Sequence, residues 1–198
     1  MQKILYLTFY FEPDLSAGSF RNTSLAGELA KSVEGRAIVH VITTQPNRYS
    51  SFREKAPVQE QRKNLLIDRV EVAEHKNGFI DQINSYRSYY KEVMRITAKE
   101  KYDLVFVSSS RLFSSYLGSK VSKKNNCSLY LDIRDLFVDN MKEIIRNPFI
   151  KYPLHVVLNY IERISFSRAA HINLVSEGFK KNFEKYKDKA SAEILSAS

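Results

Sequence analysis

The sequence predicts an α/β fold: a doubly wound, mostly parallel sheet of Rossmann-like type. Two observations predict it. Short apolar runs alternate with helical periodicities along the whole chain, which is the signature of β-α-β units. The first run, KILYLTF, is almost continuously apolar, as a strand covered on both faces should be.

The elements follow in order. After KILYLTF, a helix is predicted from Phe20 to about Val33, with Leu25, Ala26, Leu29, Ala30 and Val33 on one face. AIVHVITT and LIDRVEVAE read as the second and third strands, SYRSYYKEVMRITAKE as a helix and YDLVFV as the fourth strand. Then come a helix over RLFSSYLGSKVSKK, a strand over SLYLDI and a helix over LHVVLNYIERISFSRA. HINLV is a strand, EGFKKNFEKY a helix and SAEILSA a short last strand. Residues 44–66 break this rhythm: polar, with two prolines and five basic residues, they read as a long loop, either functional or a plain solvated connection. SAEILSAS ends without a closing helix or a polar tail, so the chain reads as cut at a domain boundary.

At 198 residues, with 43% hydrophobic and 27% charged residues, the chain suits one soluble domain with a real core. No apolar run is long enough to span a bilayer, and the start lacks a small-residue cleavage site. The single cysteine, Cys127, rules out an internal disulfide, and the four histidines lack metal-ligand spacing; no metal is expected. His40, inside AIVHVITT, reads as a satisfied core histidine. The 31 Lys+Arg against 22 Asp+Glu leave +9, which draws the chain toward nucleic acid, phospholipid or phosphorylated small molecules. The basic residues are scattered, with no recognised nucleic-acid module, so nucleic acid is not expected as a partner.

In an open α/β sheet, ligands bind beyond the carboxyl ends of the strands where strand order reverses, here between the first and fourth strands. Four loops matter. In the first, EPDLSAGSFRN, Gly18 and Ser19 offer close backbone approach, and Arg21 and Asn22 are placed in the first helical turn. A cation there opposes the helix dipole, a cost that a bound anion offsets; pairing of Arg21 with Asp14 or Glu12 is the alternative. This loop is no GxGxxG fingerprint, which argues against NAD or FAD. In the second, Ser108, Ser109 and Ser110 suit sugar or phosphate oxygens, although Ser110 also suits a helix N-cap. The third, RDLFVDN, follows Asp132 and contains Arg134, Asp135 and Asp139; Asp135 is the first choice for chemistry. The fourth contains Ser176 and Glu177. The segment NPFIKYPLHVVLNYIERISFSR joins apolar and aromatic residues to Lys151, Arg163 and Arg168, as in helices that lie on anionic membranes, or in a core-facing helix with a solvated edge.

Taken together, ILYLTFYFEPDLSAGSFRNTSLAGELAK, VHVITTQPN, YDLVFVSS, LDIRDLF and INLVSEGFKK resemble the N-terminal half of a family 4 glycosyltransferase of the GT-B fold. The match is closest to bacterial enzymes that build surface polysaccharides. The resemblance implies that residues 1–198 are an acceptor-side domain, with a C-terminal donor-binding domain absent from this chain. It further implies a retaining, metal-independent transferase, of hexosyltransferase type, that needs no cofactor. Its nucleotide-sugar donor would be bound mainly by the missing domain, and this piece alone would be inactive. The acceptor would be a glycan linked to lipid diphosphate, and the place of work the cytoplasmic face of the membrane. Gly18, Ser19, Arg21 and Asn22 match the family's first loop, and Asp135 matches the acid of its D-x-R-D element. Phe137 and Val138 depart from the usual Trp-Pro, and Ser16 and Ala17 precede a lone glycine where Gly-Gly is common. The alternative is a free-standing Rossmann-like or flavodoxin-like domain that binds a phosphorylated small ligand without catalysis.

Overall fold

The computed structural model describes residues 1–47, 55–72, 79–109, 112–135 and 148–192. Eight strands hydrogen-bond in the order β3-β4-β2-β1-β5-β6-β7-β8 to form an open, mostly parallel sheet flanked by helices. With β3 set aside, the predicted strands run third, second, first, fourth, fifth, sixth, so the order reverses beside β1 as expected of a doubly wound sheet. The chain forms two compact units, Met1–Val105 and Phe106–Leu195.

The first unit contains β1 (Gln2–Leu7), α1 (Ala17–Ser32), β2 (Ala37–Thr44), β3 (Gln59–Arg62), β4 (Leu65–Val70) and α2 (Phe79–Thr97). β1 runs parallel to β2, in register from Gln2↔Ala37 to Leu7↔Ile42, and β2 runs parallel to β4. Leu5, Leu7, Val39, Val41 and Ile67 are buried, which is why these strands read as unbroken apolar runs. Ala26 and Ala30 of α1 and Tyr89 and Val93 of α2 complete this core. Gly35, at φ +75°, makes the left-handed turn from α1 into β2, a conformation that glycine adopts without a Cβ penalty.

Two expectations need correcting here. Residues 44–66 are not one long loop, because Gln59–Arg62 pairs antiparallel with β4 in a hairpin turned at Lys63, φ +49°. QEQR carries no apolar alternation because this edge strand buries almost nothing, so its pairing is invisible to a hydrophobic pattern. The helix after β1 also starts earlier than Phe20. Ser16 caps it through a hydrogen bond from Ser19 N to its side-chain oxygen (3.1 Å), so the Ala-Gly-Ser step lies inside the helix.

His40 is a satisfied core histidine. Its Nε2 lies 2.8 Å from Asp68 Oδ2 and its Nδ1 lies 2.8 Å from the Tyr102 hydroxyl. Burial pushes the Tyr102 phenol up, so the hydroxyl keeps its proton at the Nδ1 contact, while Nε2–H donates to the Asp68 carboxylate. That hydrogen bond from His40 holds the Asp68 carboxyl below the usual carboxylate range.

The second unit continues from β5 (Leu104–Ser109), whose first two residues belong to the first unit, into α3 (Leu112–Asn125) and β6 (Ser128–Ile133). It ends with α4 (Pro148–Arg168), β7 (His171–Leu174), a 3-10 helix (Glu177–Tyr186) and β8 (Ala190–Ser191). β6 and β7 are parallel, as are β7 and β8. α3 packs along α4, and Arg168 donates to the Ser122 and Cys127 carbonyls, which ties the two helix ends together. Cys127 is half-buried. EGFKKNFEKY forms a 3-10 helix rather than an α-helix, with Phe183 out of helical geometry at φ −107°; its ring stacks on Phe166 at 5.1 Å. The last strand, predicted over SAEILSA, is described only at its start, as β8; residues 193–198 lie outside the described residues.

Candidate functional site

In the first unit the sequence-predicted residues gather at the loop from β1 into α1. Phe9 and Phe11 anchor this loop in the core, and Asp14 N closes a turn on the Phe11 carbonyl (3.0 Å). α1 holds it from one side. Buried Asn22 accepts from the Tyr6 hydroxyl (3.2 Å) and donates to Thr8 Oγ1 (2.6 Å) and the Tyr10 carbonyl (3.1 Å). Thr23 Oγ1 accepts from Glu12 N (3.1 Å). α2 holds it from another side, where the Tyr89 hydroxyl donates to the Thr8 and Ile42 carbonyls at 3.0 and 2.8 Å. From β4, Arg69 donates to the Glu12 carbonyl through Nε and Nη2, to the Pro57 carbonyl and to Glu60. Arg62 pairs with Glu12 and Glu60, and Asp14 Oδ2 accepts from Asn47 N (3.0 Å).

The result is a fixed helix start. Ser19 N is taken by the Ser16 cap, whereas the amides of Ala17 and Gly18, the first two of the helix, have no hydrogen-bond partner among the described residues. Such amides, aligned with the helix dipole, suit an anion or a sugar oxygen. The Ser19 side chain is fully buried, and Asn22, nearly so, reaches into the loop through its hydrogen bonds. Arg21 is the fifth helical residue, half-buried, and belongs to the second turn rather than the first. The dipole penalty expected for it therefore largely lapses, because that effect fades within one turn.

The second unit sorts its candidates by burial. Asp132 is fully buried in β6; it accepts from Ser108 Oγ of β5 (2.9 Å) on one oxygen and from Asn173 Nδ2 of β7 (2.8 Å) on the other. Ser108 is thus engaged within the sheet, and Ser109 ends β5. Beyond β6, Arg134 is half-buried and Asp135 is exposed. Ser176 caps the 3-10 helix, accepting from Gly178 N (3.2 Å), and exposed Glu177 pairs with Lys180 at 2.7 Å. Ser110, Phe137, Val138 and Asp139 lie outside the described residues. Among the described residues, Asp135 and Glu177 are the predicted carboxylates that solvent reaches beyond strand ends; Glu177 is paired with Lys180, and a carboxylate placed as Asp135 is able to accept a proton or orient a hydroxyl.

Arg69, Tyr89 and Asn173 were not among the predicted site residues. For two of them the signal was a polar side chain inside a short strand: Arg69 in LIDRV, Asn173 in HINLV.

No family model matches the chain, and no curated protein matches it. Solved structures do. A UGT transferase from Siraitia grosvenorii, in complex with UDP, superposes with a TM-score of 0.58 at 11% identity, over 97% of this chain and 50% of that one. HepE from Anabaena, in complex with UDP-glucose, gives 0.50 at 14%, over 97% and 43%. UGT2 of Phytolacca americana, complexed with UDP-2fluoro-glucose and pterostilbene, gives 0.50 at 10%, over 100% and 55%. The fold is that of a GT-B Rossmann-like domain. The chain spans about half the length of each of these proteins.

Proposed function

We propose that the chain is the acceptor-side half of a retaining, metal-independent family 4 glycosyltransferase that builds bacterial surface polysaccharide. It moves a hexosyl group from a nucleotide sugar to a lipid-linked glycan at the cytoplasmic face of the membrane. The observation that carries this reading is that nearly all of the chain superposes on about half of each of three proteins holding UDP or a UDP-sugar. In this reading the second half supplies most donor contacts. The Ala17 and Gly18 amides, with Arg21 nearby in sequence, meet a phosphate or acceptor oxygen. Asp135 orients the acceptor hydroxyl, with Arg134 beside it in the chain. Ser176 and Glu177 border the same class of strand-end loops, while Asn22 fixes the Tyr10 carbonyl, Ser108 holds the Asp132 carboxylate and Ser19 is buried in the first turn of α1.

The test begins by reading the gene past Ser198. A second α/β domain within the next ~180 residues, a typical domain length, is expected; a stop codon there overturns the reading. In the full-length enzyme, Asp135→Asn should cut turnover about 100-fold, the lower range for a positioned acid–base group, and chelation of metals should leave turnover unchanged. Titration calorimetry of the 198-residue chain with UDP-glucose should show weak binding or none. Tight binding would favour the free-standing phosphoryl-ligand domain instead.

A further inference from the structure

Helix α4 is apolar on two opposite faces. One face packs inward through Leu158, Ser165 and Phe166. The other carries Phe149, Tyr152, Val156, Val157 and Tyr160, each between 52% and 88% exposed. Their spacing of three, four, one and three residues places them on one side of the helix. The stripe is about 17 Å long at 1.5 Å per residue. Scattered surface hydrophobes need no explanation, whereas five on one continuous face mark an interaction surface.

Charge decides what covers it. The α4 sequence has Lys151, Arg163 and Arg168 against the single acid Glu162, and Arg163 is exposed one turn beyond Tyr160 on the same side. The whole chain carries +9. A second copy would bring the same excess of positive charge to the contact, so self-association through this face is opposed, while an anionic surface is attracted. Tyrosine and phenylalanine with flanking arginine also suit the boundary between lipid headgroups and acyl chains. No helix among the described residues is long and apolar enough to cross a membrane, so the helix lies on the surface rather than spanning it.

We propose that the exposed face of α4 is a membrane seat: Phe149, Tyr152, Val156, Val157 and Tyr160 enter the interface of an anionic bilayer, and Arg163 lies at its phosphates. The inference rests on the membrane placement proposed above and not on the transfer chemistry, since lipid binding requires no sugar donor. It gives that placement a specific surface.

Cosedimentation of the 198-residue chain with vesicles tests it. Vesicles of phosphatidylcholine mixed with phosphatidylglycerol should retain the protein, and phosphatidylcholine alone should retain much less. The triple variant Tyr152→Ser/Val156→Ser/Tyr160→Ser should weaken partitioning at least ~10-fold, given the apolar area withdrawn from the interface. Arg163→Gln should weaken it about fivefold, the effect of one basic residue at a charged surface. Val58→Ser, which removes an exposed hydrophobe from the first unit, should change nothing. Unchanged thermal unfolding of each variant excludes misfolding as the cause. The proposal is overturned if the mixed vesicles fail to retain the wild type, or if the triple variant binds as well as wild type. It is also overturned if sedimentation velocity shows a dimer that the triple variant dissolves, which would assign the face to a second copy. A chain that binds vesicles through α4, in a gene with no second domain, would remove the transferase reading and leave the membrane seat standing.

Discussion

The loop after β1 and the loop after β6 both sit where a parallel sheet presents ligands, yet they use their polar residues in opposite directions. Around the loop after β1, the side chains of Ser16, Asn22, Thr23 and Arg69 hold backbone groups, and the Ala17 and Gly18 amides are left for a ligand. At the end of β6, Asp132 turns inward, and the next acid, Asp135, faces solvent. A position at a strand's carboxyl end therefore does not by itself separate frame from candidate chemistry. Burial does that.

The contrast can be broken most forcefully at Arg69. Its guanidinium side chain is almost wholly buried and joins β4 to the Glu12 and Pro57 carbonyls and to Glu60. Arg69→Met should cost about 3–5 kcal/mol, as expected when one partner of a buried ion pair is removed, read as a lower urea midpoint. The same variant should speed amide exchange in residues 8–16 ahead of the rest of the chain; unchanged exchange there would deny that Arg69 fixes the loop.

Asn22→Ala should be the next most damaging. It removes one hydrogen bond each from the Tyr6 hydroxyl, Thr8 Oγ1 and the Tyr10 carbonyl, and a loss of about 1–3 kcal/mol is expected when buried groups lose such partners. Stability close to wild type would mean that water replaces the amide and that Asn22 is available to a ligand after all.

A pH titration gives a smaller effect. Because the Asp68 carboxyl is held below its unfolded value by His40, its contribution is present above the ordinary carboxylate pKa. It is lost as pH falls through the lower folded value. The unfolding midpoint of the wild type should therefore drop in acid below about pH 4, and Asp68→Asn should flatten that part of the curve. An identical acid limb in both proteins would remove the pair from the stability balance.

The smallest expected effect on folding is at Asp135. Asp135→Asn should leave stability within about 0.5 kcal/mol, as at exposed surface positions, while turnover in the proposed full-length transferase falls. A large loss of stability would place Asp135 with Asp132 in the frame and end the contrast between the two loops.

How much of this was legible beforehand differs by residue. The core strands were readable because burial on both faces leaves a continuous apolar run: AIVHVITT and SLYLDI match their observed bounds, Ala37–Thr44 and Ser128–Ile133. β3 was not, because an exposed edge strand carries no hydrophobic period. The start of α1 was misplaced because Ser16, Ser19 and Gly18 are as much turn residues as cap residues, and only the hydrogen bond from Ser19 N to Ser16 distinguishes the two. α4 was the hardest case. Its sequence is apolar nearly all round, so periodicity alone does not show which side meets the core.

By itself, then, the sequence determined the α/β class, the order of its apolar strands and the set of polar residues at their ends, since these follow from chain-local periodicity. Only the tertiary structure decided that Asn22, Ser108 and Asp132 face inward, that Asp135 faces out, and that the aromatic face of α4 is exposed. Each of these depends on what lies across space from a residue, which no spacing along the chain encodes.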